Sequence, residues 1–177
     1  MGKDLGQFVG MIQKEYPDLL LNIKEEINPN HFEISAMLTL LERKGLEKVV
    51  LFDRVKSVDE SQSLPFLINA FITRGLCSLA LGLKKENDRM GLVEEFARRE
   101  KRSGKAEVIP ESQAPCKEVA WEGEAANVHR LPSPMYHEKD VGPYFVMTCI
   151  MKGLKGDYYD ITFNKNWLKT PLLRIQS

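Results

Sequence analysis

The sequence predicts a mixed α/β (α+β) protein with a helix-covered sheet followed by a β-rich part. In residues 1–109, segments with apolar residues at helical spacing alternate with short apolar runs of strand length. This alternation is typical of a sheet covered by helices. In residues 110–177, β-branched and aromatic runs separated by turn residues replace the helical spacing. The polar stretch 110–115, with a proline at each end, is the predicted domain boundary.

The first helix is predicted over residues 4–15. Asp4 can cap it, with Gln7 completing a capping box, and Pro17 stops it. A short strand follows at 19–23. The buried face of the helix is predicted from apolar residues at positions i, i+3, i+4 and i+7, namely Leu5, Phe8, Val9 and Ile12.

A second helix is predicted to start at Asn30, with Glu33 as its reciprocal cap, and to end at Gly45. An apolar, β-branched run predicts a strand at 48–52. The polar residues 53–63 are predicted to form a loop, and 64–70 a third strand.

A short helix is predicted after Thr73, and a more charged one over residues 87–102. The basic residues near the end of the charged helix form either a basic patch or, as we favour, a solvated last turn: Arg98, Arg99, Lys101 and Arg102. In the β-rich part, strands are predicted at 118–121, 144–151 and 158–163. The last two would be joined by a hairpin connection at 153–156.

Composition excludes several classes of protein. The 25 basic and 25 acidic residues leave no net charge, so bulk electrostatics predicts neither nucleic-acid nor membrane binding. No apolar run approaches the ~20 residues needed to span a bilayer, and the first residues lack a signal core. The three widely spaced cysteines predict reduced thiols, not a disulfide framework or metal cluster. A cytoplasmic protein is therefore expected.

The segment 131–149 has the layout of a site, because a proline-rich loop with consecutive polar residues leads into an apolar strand. His137, Glu138 and Asp140 could form an acid–base or metal group. Adjacent residues of an extended segment point to opposite sides, so a hydrogen bond that anchors the loop is the favoured role for His137. The late aromatic residues could line a flat cofactor, but packing in a β-rich core is favoured. No nucleotide-binding or hydrolase motif is present.

Residues 114–151, APCKEVAWEGEAANVHRLPSPMYHEKDVGPYFVMTCIM, resemble a segment of the UbiD-type decarboxylases. That segment reads APVKEVV-x-EG, then LP-x-P, then HE-x-DGGPY-x-T. The order of helix and strands in the opening residues is also similar to the N-terminal domain of this family. The matching positions are Pro115, Lys117, Glu118, Val119, Glu122, Gly123, Leu131, Pro132, Pro134, His137, Glu138, Asp140, Gly142, Pro143, Tyr144 and Thr148.

The resemblance implies a reversible, non-oxidative decarboxylase (a carboxy-lyase) of an aromatic or α,β-unsaturated carboxylic acid. Such enzymes use prenylated FMN, with Mn²⁺ and K⁺ bridging its phosphate. Their middle domain is a split β-barrel that binds the flavin. Residues 110–177 would then be the incomplete start of this split barrel. A cofactor is chemically required, because decarboxylation leaves electron density that needs a sink.

The resemblance also implies the site residues. The family has a metal-binding Asn and, five residues later, a catalytic Arg, and the aligned positions here are Asp160 and Lys165. Asp160 would bind the metal, Lys165 would be catalytic, and Thr162, Phe163 and Asn164 would lie along the cofactor. Asp is still an oxygen ligand for a hard cation, whereas Lys lacks the planar fork of Arg.

One further departure from the family pattern and one alternative alignment bear on these expectations. Val141 stands where the family has the first glycine of a pair, and it should stiffen the loop and disfavour positive φ. A rival alignment uses Asn166 and Trp167, but its spacing to Arg174 is eight and not five.

Family members are more than twice as long as this chain, and their remaining catalytic carboxylates would follow Ser177. The chain is therefore expected to be an N-terminal portion that is inactive alone, whether as a truncated form or as one subunit of a split enzyme. A homo-oligomer or a complementary subunit is the expected partner, and a small carboxylic acid the expected substrate. The alternative is a non-catalytic assembly module that keeps the N-terminal domain of the family.

Overall fold

The computed structural model describes residues 4–85, 89–102, 109–152 and 159–167. The helices and strands in these ranges are, in chain order, α1 (Leu5–Glu15), β1 (Leu20–Ile27), α2 (Glu33–Arg43), β2 (Val49–Lys56), β3 (Ser63–Ile68), α3 (Arg74–Ala80), α4 (Arg89–Glu100), β4 (Tyr144–Lys152) and β5 (Tyr159–Trp167). Within these ranges, no helix has the length and apolar character that crossing a membrane requires.

The chain divides into two compact units, and each is built from two separate stretches of sequence. The first unit combines the residues up to Leu19 with Asn69–Asn127. The second combines Leu20–Ile68 with the residues from Val128 onward. The boundary predicted at residue 110 lies within the second stretch of the first unit.

A three-stranded sheet forms the centre of the second unit, with strand order β1-β2-β3. Strand β1 runs parallel to β2, and β3 runs antiparallel to it. The connection from β1 to β2 passes through α2, as parallel neighbours require. The predicted helix-covered sheet is therefore confirmed. One cluster of buried residues joins the helix to the sheet, and it consists of Ile34, Leu41, Val50, Phe52 and Val55.

Strand β2 is longer than predicted, and the loop predicted over residues 53–63 is confined to residues 57–62. The strand continues to Lys56, and β3 begins at Ser63. Val55 is fully buried, whereas Arg54 is exposed and pairs with Glu26 of β1 at 2.6 Å. Charged residues on the solvated side of a strand were therefore mistaken for a loop, because only pairing with neighbouring strands distinguishes the two.

The predicted start of the second helix is also wrong. A 3-10 turn at Pro29–His31 precedes α2, and its cap is Asn28, whose side chain accepts a hydrogen bond from the Asn30 backbone at 3.0 Å. Phe32 then adopts a left-handed conformation, with φ of 59°. Glu33 does reach back, but its carboxylate accepts from the backbone of Asn28 at 2.6 Å. The proline at the first position of the 3-10 turn favours a turn that starts at Pro29, and α2 itself begins later than predicted, at Glu33.

The starts of α1 and α3 are as predicted, whereas the start predicted for α4 at residue 87 lies outside the described residues. Asp4 accepts a hydrogen bond from the Gln7 backbone at 2.7 Å, and Thr73 accepts one from the Leu76 backbone at 3.1 Å. These bonds satisfy amide groups that have no partner inside the helix. In the first unit, the rings of Phe8 and Phe71 pack with their centroids 5.5 Å apart.

In the β-rich part, one predicted strand is absent and two are confirmed. Residues 118–121 lie outside any strand, after a 3-10 turn at Pro115–Lys117. Val119 is 70% exposed, so no neighbouring strand covers this stretch. Strands β4 and β5 pair antiparallel along their whole length, from Tyr144 opposite Trp167 to Lys152 opposite Tyr159. The predicted connection at 153–156 lies outside the described residues, and the described ranges contain no continuation into a split barrel.

Candidate functional site

The proline-rich loop that leads into β4 is anchored to the second unit. Ser133 and Pro134 are fully buried. The backbone of Met135 donates a hydrogen bond to the carbonyl of Pro29 at 3.1 Å. Because proline has a fixed φ, little backbone entropy is lost when this loop is ordered. The loop is therefore suited to hold whatever follows it in a defined place.

A turn at residues 137–140 presents three polar side chains to solvent, those of His137, Glu138 and Lys139. The carboxylate of Asp140 accepts a hydrogen bond from the His137 backbone at 3.0 Å, and the Asp140 backbone donates to the His137 carbonyl at 3.0 Å. His137 and Glu138 are exposed. The anchoring contact is thus made by the backbone of His137, and Asp140 is the side chain that stabilises the turn.

Two aromatic rings, one in this loop and one at the start of β4, pack against each other. Tyr136 and Tyr144 pack with their centroids 5.2 Å apart and their planes inclined by 44°. Burial, with a smaller contribution from Tyr144, raises the pKa of the Tyr136 hydroxyl above its usual value. The start of β4 is therefore packed against the loop that precedes it.

An open groove of about 540 Å³ lies between this loop and one face of α2. It combines apolar side chains with groups of both charges, so it suits binding better than acid–base chemistry. Its lining consists of Phe32, Ser35, Ala36, Thr39, Leu40, Arg43, Tyr136, His137 and Glu138. Among the described residues, no three potential ligands come together to hold a metal ion.

All five of the predicted site residues lie on β5, where the structure gives their register. Asp160 is opposite Met151, and Lys165 is opposite Val146. A separation of five residues corresponds to roughly 17 Å along a strand. Successive positions of a strand alternate between its faces, so positions 160, 162 and 164 share one face. Positions 163 and 165 lie on the other face, and the two key positions are therefore on opposite faces.

Positions 160, 162 and 164 carry an acid, a hydroxyl and an amide, namely Asp160, Thr162 and Asn164. The Asp160 carboxylate is the kind of ligand that a hard cation such as Mn²⁺ prefers. The hydroxyl of Thr162 and the amide of Asn164 are donors of the kind that bind phosphate oxygens. Asp160 is one ligand, so a metal bound here would need further ligands from elsewhere.

Val141, which replaces a glycine of the family pattern, is 67% exposed. Neither Val141 nor Gly142 has a positive φ. The backbone of this loop therefore has a conformation that any residue can adopt, and the valine fits it without strain.

Sequence analysis missed the importance of the turn at residues 57–62. One carboxylate oxygen of Asp59 accepts hydrogen bonds from the hydroxyls of Ser57 and Ser61, both at 2.7 Å, and from the Ser61 backbone at 3.1 Å. The bond from the Ser61 hydroxyl is the main cause that lowers the pKa of Asp59 below its usual value. The alternating Ser-x-Asp-x-Ser pattern is a turn signal that could have identified this feature.

A second groove, of about 550 Å³, lies in the first unit, between α1 and the end of α3. Its lining is mainly apolar, with Phe8, Met11, Phe71 and Leu83 among the contributors. Leu5 and Phe71 on its border are more than half exposed. The described lining residues contain no convergent set of polar groups, so they indicate packing and not chemistry.

Two family models match the sequence in consecutive segments. Residues 13–99 match the 3-octaprenyl-4-hydroxybenzoate carboxy-lyase N-terminal domain, and residues 107–162 match the carboxy-lyase Rift-related domain of the same UbiD group. None of the curated proteins matches the sequence.

Solved structures of vanillic acid decarboxylase from Sedimentibacter hydroxybenzoicus have a similar fold. An open form is 24% identical over 96% of this chain, with a TM-score of 0.80. A second open form is 23% identical over 95% of this chain, with a TM-score of 0.79. A closed form is 24% identical over 87% of this chain, with a TM-score of 0.73. This chain spans about a third of each neighbouring chain, namely 35%, 34% and 32% of their lengths.

Proposed function

The chain belongs to the UbiD family of carboxy-lyases, and we propose from this that it is a component of a non-oxidative (de)carboxylase. Its substrate would be an aromatic or α,β-unsaturated carboxylic acid, and its cofactor prenylated FMN with Mn²⁺ and K⁺. The observation that supports the proposal most is that two consecutive domains of one carboxy-lyase family match in the same order. We also propose that it acts in the cytoplasm.

In this proposal, Asp160 would supply one oxygen to the metal, and Thr162 and Asn164 would bind the phosphate. When bound, the cofactor supplies the electron sink that decarboxylation needs. Phe163 would contribute apolar contact near the ring. The roughly 17 Å from Asp160 to Lys165 would separate the phosphate end of the site from its reactive end.

Lys165 would bind and orient the carboxylate of the substrate. An ammonium group attracts a carboxylate as a point charge, without the two parallel hydrogen bonds that Arg makes. As the carboxylate becomes neutral CO₂, this attraction weakens, so it stabilises the bound substrate more than the transition state. The contribution of Lys165 would therefore come from orientation and not from transition-state charge stabilisation.

We propose that these 177 residues are inactive alone. The chain spans 35% of the length of a similar decarboxylase chain. The missing groups would come from further residues or from a complementary subunit. The similar solved structures are of the vanillic acid decarboxylase VdcCD, and one of them contains a truncated VdcD, which supports a complementary subunit.

Reconstitution with prenylated FMN and Mn²⁺ tests the proposal. The protein, supplied with the remaining portion of the family fold, should show a bound-flavin absorbance spectrum and release CO₂ from an aromatic acid. Lys165→Met should raise KM and lower activity by about tenfold or more, in line with the loss of one charged contact. Lys152→Met, at the other end of the same hairpin, is the charge-matched control and should have little effect. A wild-type protein that binds no flavin under these conditions would refute the proposal.

A non-catalytic assembly module is the second candidate function. The observation that favours it is that neither Asp160 nor Lys165 is the residue type of the family pattern. If this candidate is correct, the reconstituted assembly should keep full activity in both Asp160→Ala and Lys165→Met. Loss of activity in either variant alone, with the assembly intact by size-exclusion chromatography, would exclude it.

A further inference from the structure

The turn at residues 57–62 holds three successive carbonyl groups of a segment almost seventy positions later in the chain. The Asp59 backbone donates to the carbonyl of His129 at 3.0 Å, and the Val58 backbone donates to that of Leu131 at 3.2 Å. Between them, the side-chain amide of Gln62 donates to the carbonyl of Arg130 at 2.8 Å. Both segments belong to the second unit.

The donors of this contact belong to a turn that is closed by its own hydrogen bonds. The Asp59 carboxylate ties Ser57 and Ser61 together, and Ser57 is fully buried. The Ser57 backbone donates to the Gln62 carbonyl at 2.8 Å, and the Gln62 backbone donates to the Ser57 hydroxyl at 3.2 Å. A turn closed in this way loses little additional freedom when its outward donors are used.

The held segment leads directly to the candidate site. Its far end is fixed by the hydrogen bond from Met135 to Pro29, and the residues between the two attachments include the buried Ser133 and Pro134. Strand β4 begins nine residues after Met135, with Tyr144 packed on Tyr136. The contacts therefore form a continuous series from the three-stranded sheet to the β4–β5 hairpin.

We propose that Gln62 is a positioning residue for the β4–β5 hairpin. Of the three donors in the contact, it is the one that belongs to a side chain, so it is the one that the choice of amino acid determines. The amide of Gln62 determines which carbonyl of residues 129–131 lies opposite each donor of the turn. This alignment fixes the start of the proline-rich loop and therefore the position at which β4 begins. The link from hairpin placement to cofactor binding rests on the proposed function.

Amide hydrogen exchange on the full 177-residue chain tests the proposal. Gln62→Met keeps the length of the side chain but removes the donor. Losing one hydrogen bond of typical net strength should speed exchange in residues 129–135 and in β4 by about three- to tenfold. Exchange in β1 and β2 should stay unchanged. Gln113→Met is the matched control, since Gln113 is exposed in the first unit, and it should change none of these rates.

Gln62→Glu is the second variant, and it decides the outcome if the methionine variant folds poorly. A carboxylate of the same shape cannot donate to the Arg130 carbonyl, so the same local acceleration is expected. Unchanged exchange in 129–135, or an equal increase in β1 and β2, would overturn the positioning role.

Flavin binding by the reconstituted protein separates this proposal from the proposed function. The positioning role predicts that Gln62→Met weakens prenylated-FMN binding by a similar three- to tenfold. The melting temperature of Gln62→Met should equal that of the Gln113→Met control. If wild-type protein binds no flavin but the local exchange responds as described, the proposed function is refuted and the positioning role is supported.

Discussion

Glu95 of α4 binds two arginines at once. Its carboxylate contacts Arg98 at 2.5 Å and Arg99 at 2.6 Å, and Arg99 also donates to the carbonyl of Leu81 at 2.7 Å. The hydrogen bonds from Arg98 and then Arg99 lower the pKa of Glu95 from 4.5 to about 2. Half of the basic cluster at the end of α4 is therefore engaged with its own helix, and these two arginines are poor candidates for an anion-binding patch.

The stability of the fold should depend on Glu95 in a defined pH range. Because its pKa is lowered on folding, the stabilisation is fully present above about pH 4.5 and is lost as the pH falls toward 2. The free energy of unfolding, measured in urea from pH 6 to pH 2, should be higher for the wild type than for Glu95→Gln. The difference should shrink toward zero at the acid end. Glu94→Gln, one position earlier in the same helix, serves as the control, and an equal profile for both variants would contradict the assignment.

Helix ends illustrate how individual elements are specified. Helix α2 ends in a Schellman motif, in which Gly45 donates to the Glu42 carbonyl and Leu46 to the Leu41 carbonyl, both at 2.9 Å. Gly45 has φ of +63°, a conformation that disfavours any side chain. Gly10 lies inside α1, where a glycine has no such advantage. Both sites have nothing within 4 Å of an added Cβ, so only backbone conformation distinguishes them.

Alanine at these two glycines should therefore change stability in opposite directions. Gly10→Ala should raise the free energy of unfolding by about 0.5–1 kcal/mol, because a glycine in a helix has excess entropy to lose. Gly45→Ala should lower it by about 1 kcal/mol or more, since the left-handed region is strained for L-residues. Denaturant titration of each variant measures both values. A gain in stability for Gly45→Ala would show that the helix end does not need this conformation.

On the scale of the whole molecule, the compact units do not follow the order of the sequence. The second unit takes its three-stranded sheet from residues matched by the N-terminal family model, and β4 and the first part of β5 from residues matched by the Rift-related model, which ends at residue 162. The hairpin itself is a two-stranded sheet. A two-stranded sheet is marginal in water unless further strands or a helix cover it, so β4 and β5 are the elements that most need additional partners.

Supplying the remaining portion of the family fold should protect this hairpin. Amide exchange in β4 and β5 should be faster than in β2 in the 177-residue chain, and it should slow by at least tenfold on reconstitution, because new strand pairing satisfies the open edges. Exchange in β2, already the central strand of its sheet, should change little. If the hairpin is equally protected in both samples, its edges are already covered and the proposed incomplete barrel is wrong.

The candidate site was only partly accessible to sequence analysis. Asp160 and Lys165 were identified through a family pattern, since their spacing alone carries no chemical signal. The structure adds their register on β5, which no local property of the sequence contains. The role of Gln62 could not be predicted at all, because its partner is the backbone carbonyl of Arg130. Every residue type carries this carbonyl, so the sequence does not indicate which one accepts the hydrogen bond.

The sequence by itself determined the features that depend on near neighbours in the chain. The caps at Asp4 and Thr73 and the glycine end of α2 follow from residue types within a few positions, as does the hairpin predicted from strands at 144–151 and 158–163. Only the tertiary structure decided that β2 continues through charged residues to Lys56, that residues 118–121 are not a strand, and that residues 128–135 return to the first sheet. The physical reason is that capping and turn formation are short-range, whereas a strand exists only where distant segments supply its hydrogen bonds.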